Sequence, residues 1–345
     1  MVDPGPLEEI PLPQSLPARR ARHARVSAAL AQLSDPRLTA FLESARPLGA
    51  GIGGTTWLAD VGGAPVFVKR VPVTEVELAR PRSTADHFGL PVWSHYGVGS
   101  AGGGAWRELA AHVLTSDDVL AGGGENFLLL HHWRVLDAGP RPVPTAAERA
   151  EQVAFWHGHP GVRRRLEALA TAPADLVLFL EHVPHDLRGW MHEGACGMAE
   201  RDLTAIARSL SRLGLWHFDA HFGNTLTDGE RLYLTDFGLA AASRFDVTAA
   251  ERRFLADHAT HDRSYVLTHL VNWIVRELGG IADVPSRNTA IRTGDLPALP
   301  PAAADLVRRH APVAALVNDF YFRLHTASRM TPYPRNEIER VLGRS

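Results

Sequence analysis

A single cysteine, Cys196, stands in 345 residues. No internal disulfide can form, no disulfide-linked partner is expected, and the reducing cytoplasm is the simple reading of localisation. A basic excess is missing as well. Lys and Arg number 36 against 38 Asp and Glu, a formal net charge of -2, and a general nucleic-acid binder would carry the opposite balance. Apolar runs are short: Leu176 to Leu180 is among the longest, far below the roughly 20 residues that span a bilayer, so no membrane partner is expected. The first residues set Asp3, Glu8 and Glu9 among prolines and lack the basic and apolar regions of a signal peptide. There are 18 histidines but no Cys/His cluster, and structural histidines explain them better than zinc ligands. A hydrophobic fraction of 45% still suffices to bury two lobes of roughly 100 to 200 residues each, which permits an enzyme.

The chain is organised around His217-Phe218-Asp219-Ala220-His221-Phe222-Gly223-Asn224, followed beyond a hairpin-like stretch (Arg231 to Thr235) by Asp236-Phe237-Gly238. An Asp, an Asn five residues later and a further Asp are the groups that phosphoryl transfer needs: one base for an incoming hydroxyl and two oxygen ligands for Mg²⁺. Each alone reads as a turn. Upstream, Gly49, Gly51 and Gly54 form G-x-G-x-x-G between two strand-like runs, and Val66-Phe67-Val68 carries Lys69 at the end of the second. Backbone amides without side chains can approach phosphate oxygens closely, and a lysine on the adjoining strand can neutralise them. A flexible hairpin is the plain alternative for the glycines. Glu108 lies in a helical segment, Ala105 to Leu114, where the bland reading is a solvated face.

In this order the elements resemble the protein kinase superfamily, which includes the aminoglycoside and choline kinases, over about residues 46 to 275. The resemblance implies an α+β, bilobal protein-kinase-like fold. A Pro/Arg-rich arm, residues 1-25, would be solvated. A small β-rich N-lobe with a helical insertion would cover 26-181, and a larger, mainly helical C-lobe 182-345. ATP and Mg²⁺ are the implied cofactors. Gly49, Gly51 and Gly54 would cover the nucleotide and Lys69 hold its α/β-phosphates. Glu108 would steady Lys69, with Glu75 and Glu77 as rivals, and backbone groups of Glu181 and Val183 would pair with adenine. Asp219 would accept or orient the substrate proton, Asn224 and Asp236 would ligate the metal, and Asp262 would tie down the catalytic loop.

The departures from the pattern carry information. Thr56 stands where kinases usually have Val, and an insertion, about residues 74 to 103, separates Lys69 from Glu108. Within it, a second G-x-G-x-x-G at Gly97 to Gly102 follows no buried strand and reads as a linker rather than a dinucleotide fingerprint. His221 replaces the usual Lys of serine/threonine kinases and is common in aminoglycoside-type kinases. No Ala-Pro-Glu follows Asp236-Phe237-Gly238, and Phe218 replaces the Arg that reads activation-segment phosphorylation. The implied activity is ATP- and Mg²⁺-dependent phosphorylation of a hydroxyl. The acceptor is expected first to be Ser or Thr of a protein or peptide, including precursor peptides of bacterial biosynthesis. An alcohol on a small molecule, as in aminoglycoside- or choline-kinase-like enzymes, is the alternative, and a nucleotide-binding pseudokinase scaffold is the third reading.

Periodicity supplies the remaining elements. Short helices broken near Pro36 are expected over Val26 to Ala45. A capping box at Thr145 to Glu148 opens a helix through about His157, and another covers 161 to 171. Asp175 to Glu181 reads as a buried strand, Leu203 to Leu213 as a helix entering the catalytic loop, and Tyr265 to Leu278 as a buried helix. C-terminal helices are expected at about 302 to 328 and 335 to 343.

Overall fold

In the computed structural model, which describes residues 15–51, 54–97 and 100–343, the chain is α+β. Five antiparallel strands form one sheet in the order β1-β2-β3-β5-β4: β1 (Arg46–Gly51), β2 (Gly54–Asp60), β3 (Pro65–Val73), β4 (Leu130–Asp137) and β5 (Ala174–Glu181). Every residue of β5 is buried, because both faces of the sheet are covered. Val177 and Phe179 point to one side with Val66 and Val68, while Leu176, Leu178 and Leu180 point to the other with Val71 and Val73. This is the two-residue period of a strand. Register then aims the lysine: Lys69 pairs with Leu178, and directly opposed residues share a face, so Lys69 projects toward the side covered by α4 (Ala105–Ala121).

The other face is covered by α1 (Leu16–Ala31) and α2 (Asp35–Glu43), which bury Val26, Leu30, Leu38 and Leu42 against it. Here the expected solvated arm is corrected: from residue 16 onward the segment is helical, and Arg19 and Arg22 are buried. Ser15 caps the helix and a proline sits in its first turn, both favoured starts. Residues 1–14 lie outside the described residues.

A short α3 (Glu75–Leu78) and a 3₁₀ turn (Val92–His95) occupy the insertion that follows β3, and α5 (Ala146–Phe155) and α6 (Pro160–Ala170) fall where capping and periodicity predict helices. Beyond β5 come β6 (His185–Asp186), α7 (Leu187–Trp190) and α8 (Cys196–Leu213), then β7 (Leu215–Trp216), the hairpin β8 (Thr225–Thr227) and β9 (Leu232–Leu234), and β10 (Ala241–Ala242). α8 turns Leu203, Ile206, Ala207 and Leu210 into a core shared with α10 (His261–Trp273) and α12 (Pro301–Thr326). α9 (Ala249–Asp257), α11 (Val284–Thr293) and α13 (Arg335–Leu342) complete this helical region. α10 is buried as expected, although its last turn, Ile274–Leu278, is π-helical. α11 was not foreseen. Among the described residues no helix is long and apolar enough to cross a membrane.

Candidate active site

Three elements converge on Lys69. Its Nζ lies 2.7 Å from Glu108 Oε1 on α4 and 2.8 Å from Asp236 Oδ1. α4 reaches this position because Gly104 precedes it with φ 110° and Gly122 ends it in the left-handed region, and its inward stripe carries Glu108, His112, Thr115 and Val119 at helical spacing. The rivals are elsewhere. Glu75 is exposed, and Glu77 bonds Arg165 (3.0 Å), Thr74 and the Ala105 N–H. Burial alone would discharge Lys69, but the two carboxylates outweigh it and hold the ammonium well above its ordinary pKa. The Asp236 carboxyl, opposed by its packing, is held far below the usual range by Lys69, with help from the Gly238 N–H and His217.

Asp219 stands beside this group. Asn224 Nδ2 donates to its carbonyl (2.9 Å) and to Oδ2 (3.1 Å), and His221 Nε2 is 3.7 Å from Oδ1. The loop is held from behind, where the Asp262 carboxylate accepts the N–H groups of His217 (2.8 Å) and Phe218 (3.0 Å). Phe218 and Asp236 both have positive φ, 63° and 61°, a conformation costly for side-chain-bearing residues that persists where the surroundings enforce it. Around Phe218 the enforcement is aromatic: its buried ring lies 5.1 Å from His95 and 5.0 Å from His261. Burial, then the charge of Asp236, raise the Asp219 pKa to about 7 against the Asn224 hydrogen bond.

The expected nucleotide-side residues separate. Gly54 has φ 123°, and a Cβ there would strike the Arg70 carbonyl, so glycine is required by the backbone alone. Gly49 faces open space. Gly51 ends β1, and the tip at residues 52–53 lies outside the described residues. Val183 is buried. The Glu181 N–H donates to the Leu129 carbonyl (2.8 Å), so a contact from this residue to adenine can come from its carbonyl alone. Its carboxylate is gripped by Arg19 (2.7 Å) and Arg22 (2.5 Å), and Arg19 also donates to the carbonyls of Glu125 and Phe127.

Sequence reasoning missed these two arginines; their signal was the i, i+3, i+7, i+11 spacing of Arg19, Arg22, Val26 and Leu30. It also missed Gly97. A Cβ on Gly97 would lie 2.4 Å from Asp219 Oδ1, so the insertion passes over the central carboxylate. The insertion is pinned there by Tyr96 Oη on His258 Nε2 (2.6 Å) and by the Gly103 N–H on the Gly238 carbonyl (2.8 Å).

The donor set suits a hard cation. Asn224 turns its amide nitrogen to Asp219, which leaves Oδ1 for other partners, and Asp236 is ionised, 40% exposed and bonded to Lys69 through one oxygen only. Oxygen donors of this kind match Mg²⁺. No family model matches this chain, and no curated protein matches it.

Proposed function

We propose that the chain is a bilobal, protein-kinase-like phosphotransferase that uses ATP and Mg²⁺ to phosphorylate a hydroxyl. The observation that carries this is the pair of ion bridges from Lys69 to Glu108 and Asp236, next to an Asp219 held by Asn224. Lys69 orients phosphate oxygens, and Glu108 keeps its ammonium in place. Asn224 and Asp236 hold the metal, whose charge, when it is bound, neutralises the phosphates. Asp219, with a pKa near neutrality, takes up or orients the alcohol proton, which is where a general base is most effective. Most of the rate gain comes from positioning and electrostatics.

Between the two acceptor classes, Gly97 favours a small molecule. Gly97, beside the anchored Tyr96, lies against Asp219, and Gly102 and Gly103 lie against the Gly238 carbonyl, which leaves less room beside Asp219 for an extended peptide than for a small alcohol. The test is labelled ATP with purified protein and a host lysate fractionated by size. Label is expected in small molecules, and neither Asp219→Asn nor Asp236→Ala is expected to transfer it. Wild-type turnover by both variants with every acceptor refutes the catalytic assignment.

A further inference from the structure

His221, whose Nε2 is 3.7 Å from Asp219 Oδ1, belongs to a group of basic side chains. At Gly223 a Cβ would lie 2.9 Å from the His221 ring and 3.1 Å from Arg188 Nη2 on α7, so the guanidinium and the imidazole share one small space above the loop. The His221 ring lies 6.1 Å from that of His269 on α10. Arg287, on α11, is near enough to His269 to act on its charge; its Nε is buried without a hydrogen-bond partner, and so is His221 Nδ1. The facing carboxylates are Asp219, 3.7 Å from His221 Nε2, and Asp283, which bears on Arg287 while capping α11 through the Ser286 N–H; Asp186 is occupied in capping α7 through the Gly189 N–H.

We propose that Arg188, Arg287, His221 and His269 form an acceptor subsite for an anionic group, so that the molecule phosphorylated is an alcohol carrying a carboxylate or phosphate. The proposal rests on the phosphotransferase reading. A buried guanidinium N–H without a partner, as at Arg287 Nε, is costly, and a charge-assisted hydrogen bond to an oxyanion would satisfy it. Burial, then the neighbouring His221, Arg188 and Arg287, push the His269 pKa down to about 3, so the imidazole is a neutral hydrogen-bonding group and the two arginines carry the positive charge. A cationic acceptor such as an aminoglycoside or choline would be repelled here. In the reaction the alcohol oxygen forms the new bond to the γ-phosphorus and the bond to the β-phosphate oxygen breaks. The bond's electron pair leaves with ADP, and the alcohol proton passes to Asp219.

The test uses the full chain with a non-hydrolysable ATP analogue and Mg²⁺ bound, and titrates glycerol 3-phosphate, glycerol and choline by calorimetry at fixed ionic strength. Saturable binding of glycerol 3-phosphate alone is expected, weakened at least tenfold in the double variant Arg188→Gln/Arg287→Gln, with its melting midpoint as the check that it is folded. Lysate metabolites separated by anion and cation exchange are then offered with labelled ATP, and label should enter the anion-retained pool. The proposal is overturned by no binding of glycerol 3-phosphate, by equal binding in the variant, by its displacement when the analogue is present, or by label entering the cation-retained pool. Failure of the analogue itself to bind refutes instead the underlying phosphotransferase reading.

Discussion

Replacing Asp219 by Asn should make the protein more stable while abolishing transfer. The Asp219 side chain is 23% exposed, and burial with the charge of Asp236 raises its pKa from an ordinary 3.8 to about 7. A carboxyl whose pKa is raised on folding destabilises the fold wherever it is ionised, so the penalty is present above pH 7 and vanishes as pH falls toward the unfolded value. A displacement of about three pH units at about 1.4 kcal/mol each gives an upper bound of about 4 kcal/mol. Partial exposure and the hydrogen bond from Asn224 reduce it, and a gain of about 1–3 kcal/mol is expected for Asp219→Asn at pH 8. The amide can still accept from Asn224 Nδ2, so the loop keeps its bond. For a chain of this size that amounts to about 1–4 °C in melting midpoint. Differential scanning calorimetry of both proteins without nucleotide, from pH 4 to 8.5, reads it directly. The gap should widen from about pH 4 to pH 7, hold level above pH 7, and be less than half its full size at pH 5. A variant less stable than wild type at every pH, or a gap that ignores pH, refutes the view of Asp219 as a strained base.

Lys69→Met should cut transfer by at least a hundredfold, and it should also lower the melting midpoint, because Glu108 is left buried without its cation, at a cost of about 3 kcal/mol. A midpoint unchanged from wild type in thermal unfolding would refute the ion-bridge account. Arg19→Ala should destabilise by about 3 kcal/mol, since Glu181 keeps only Arg22 at its buried carboxylate. Denaturant unfolding measures this, and a change under 0.5 kcal/mol would count against the clamp. Dephosphorylated protein, verified by mass spectrometry, should retain its initial rate within about twofold: Phe218 is packed where a phosphate-reading Arg would stand, and Thr248 caps α9 by accepting the Glu251 N–H. A large loss restored by rephosphorylating Ser243 or Thr248 would overturn that.

What could be read from the sequence follows from the range of the interactions involved. Asp219, Asn224 and Asp236 lie within 18 residues, so one loop and one hairpin bring them together, and residue type and spacing suffice to find them. The buried strand β5 and the helices α5, α6, α8 and α10 announced themselves by apolar period or capping box. Glu108 was harder, because Glu75 and Glu77 were closer in sequence to Lys69; register and the inward stripe of α4 decide in its favour, and both are properties of packed elements.

The misreadings have separate physical causes. α1 buries Arg19 and Arg22 on its inward face, so at its start the apolar pattern that signals a helix is replaced by charges, and four prolines upstream with a fifth in its first turn suggested an extended arm. Such residues are tolerable inside only because Glu181, 162 positions from Arg19, waits at the end of β5 to receive them; a buried charge with a distant partner looks in sequence like a solvated one. α11 was hidden for the opposite reason, since it buries little beyond Ala290 and Ile291 and shows almost no apolar stripe. Gly97 combines both difficulties. Its reason for being glycine is a carboxylate 122 positions away in sequence, and nothing local distinguishes it from a linker residue. A side chain at this position would have to move either the insertion or Asp219. The identity of one glycine in the insertion is thus tied to the geometry of Asp219, and the insertion belongs to the candidate site as much as the motifs that first revealed it.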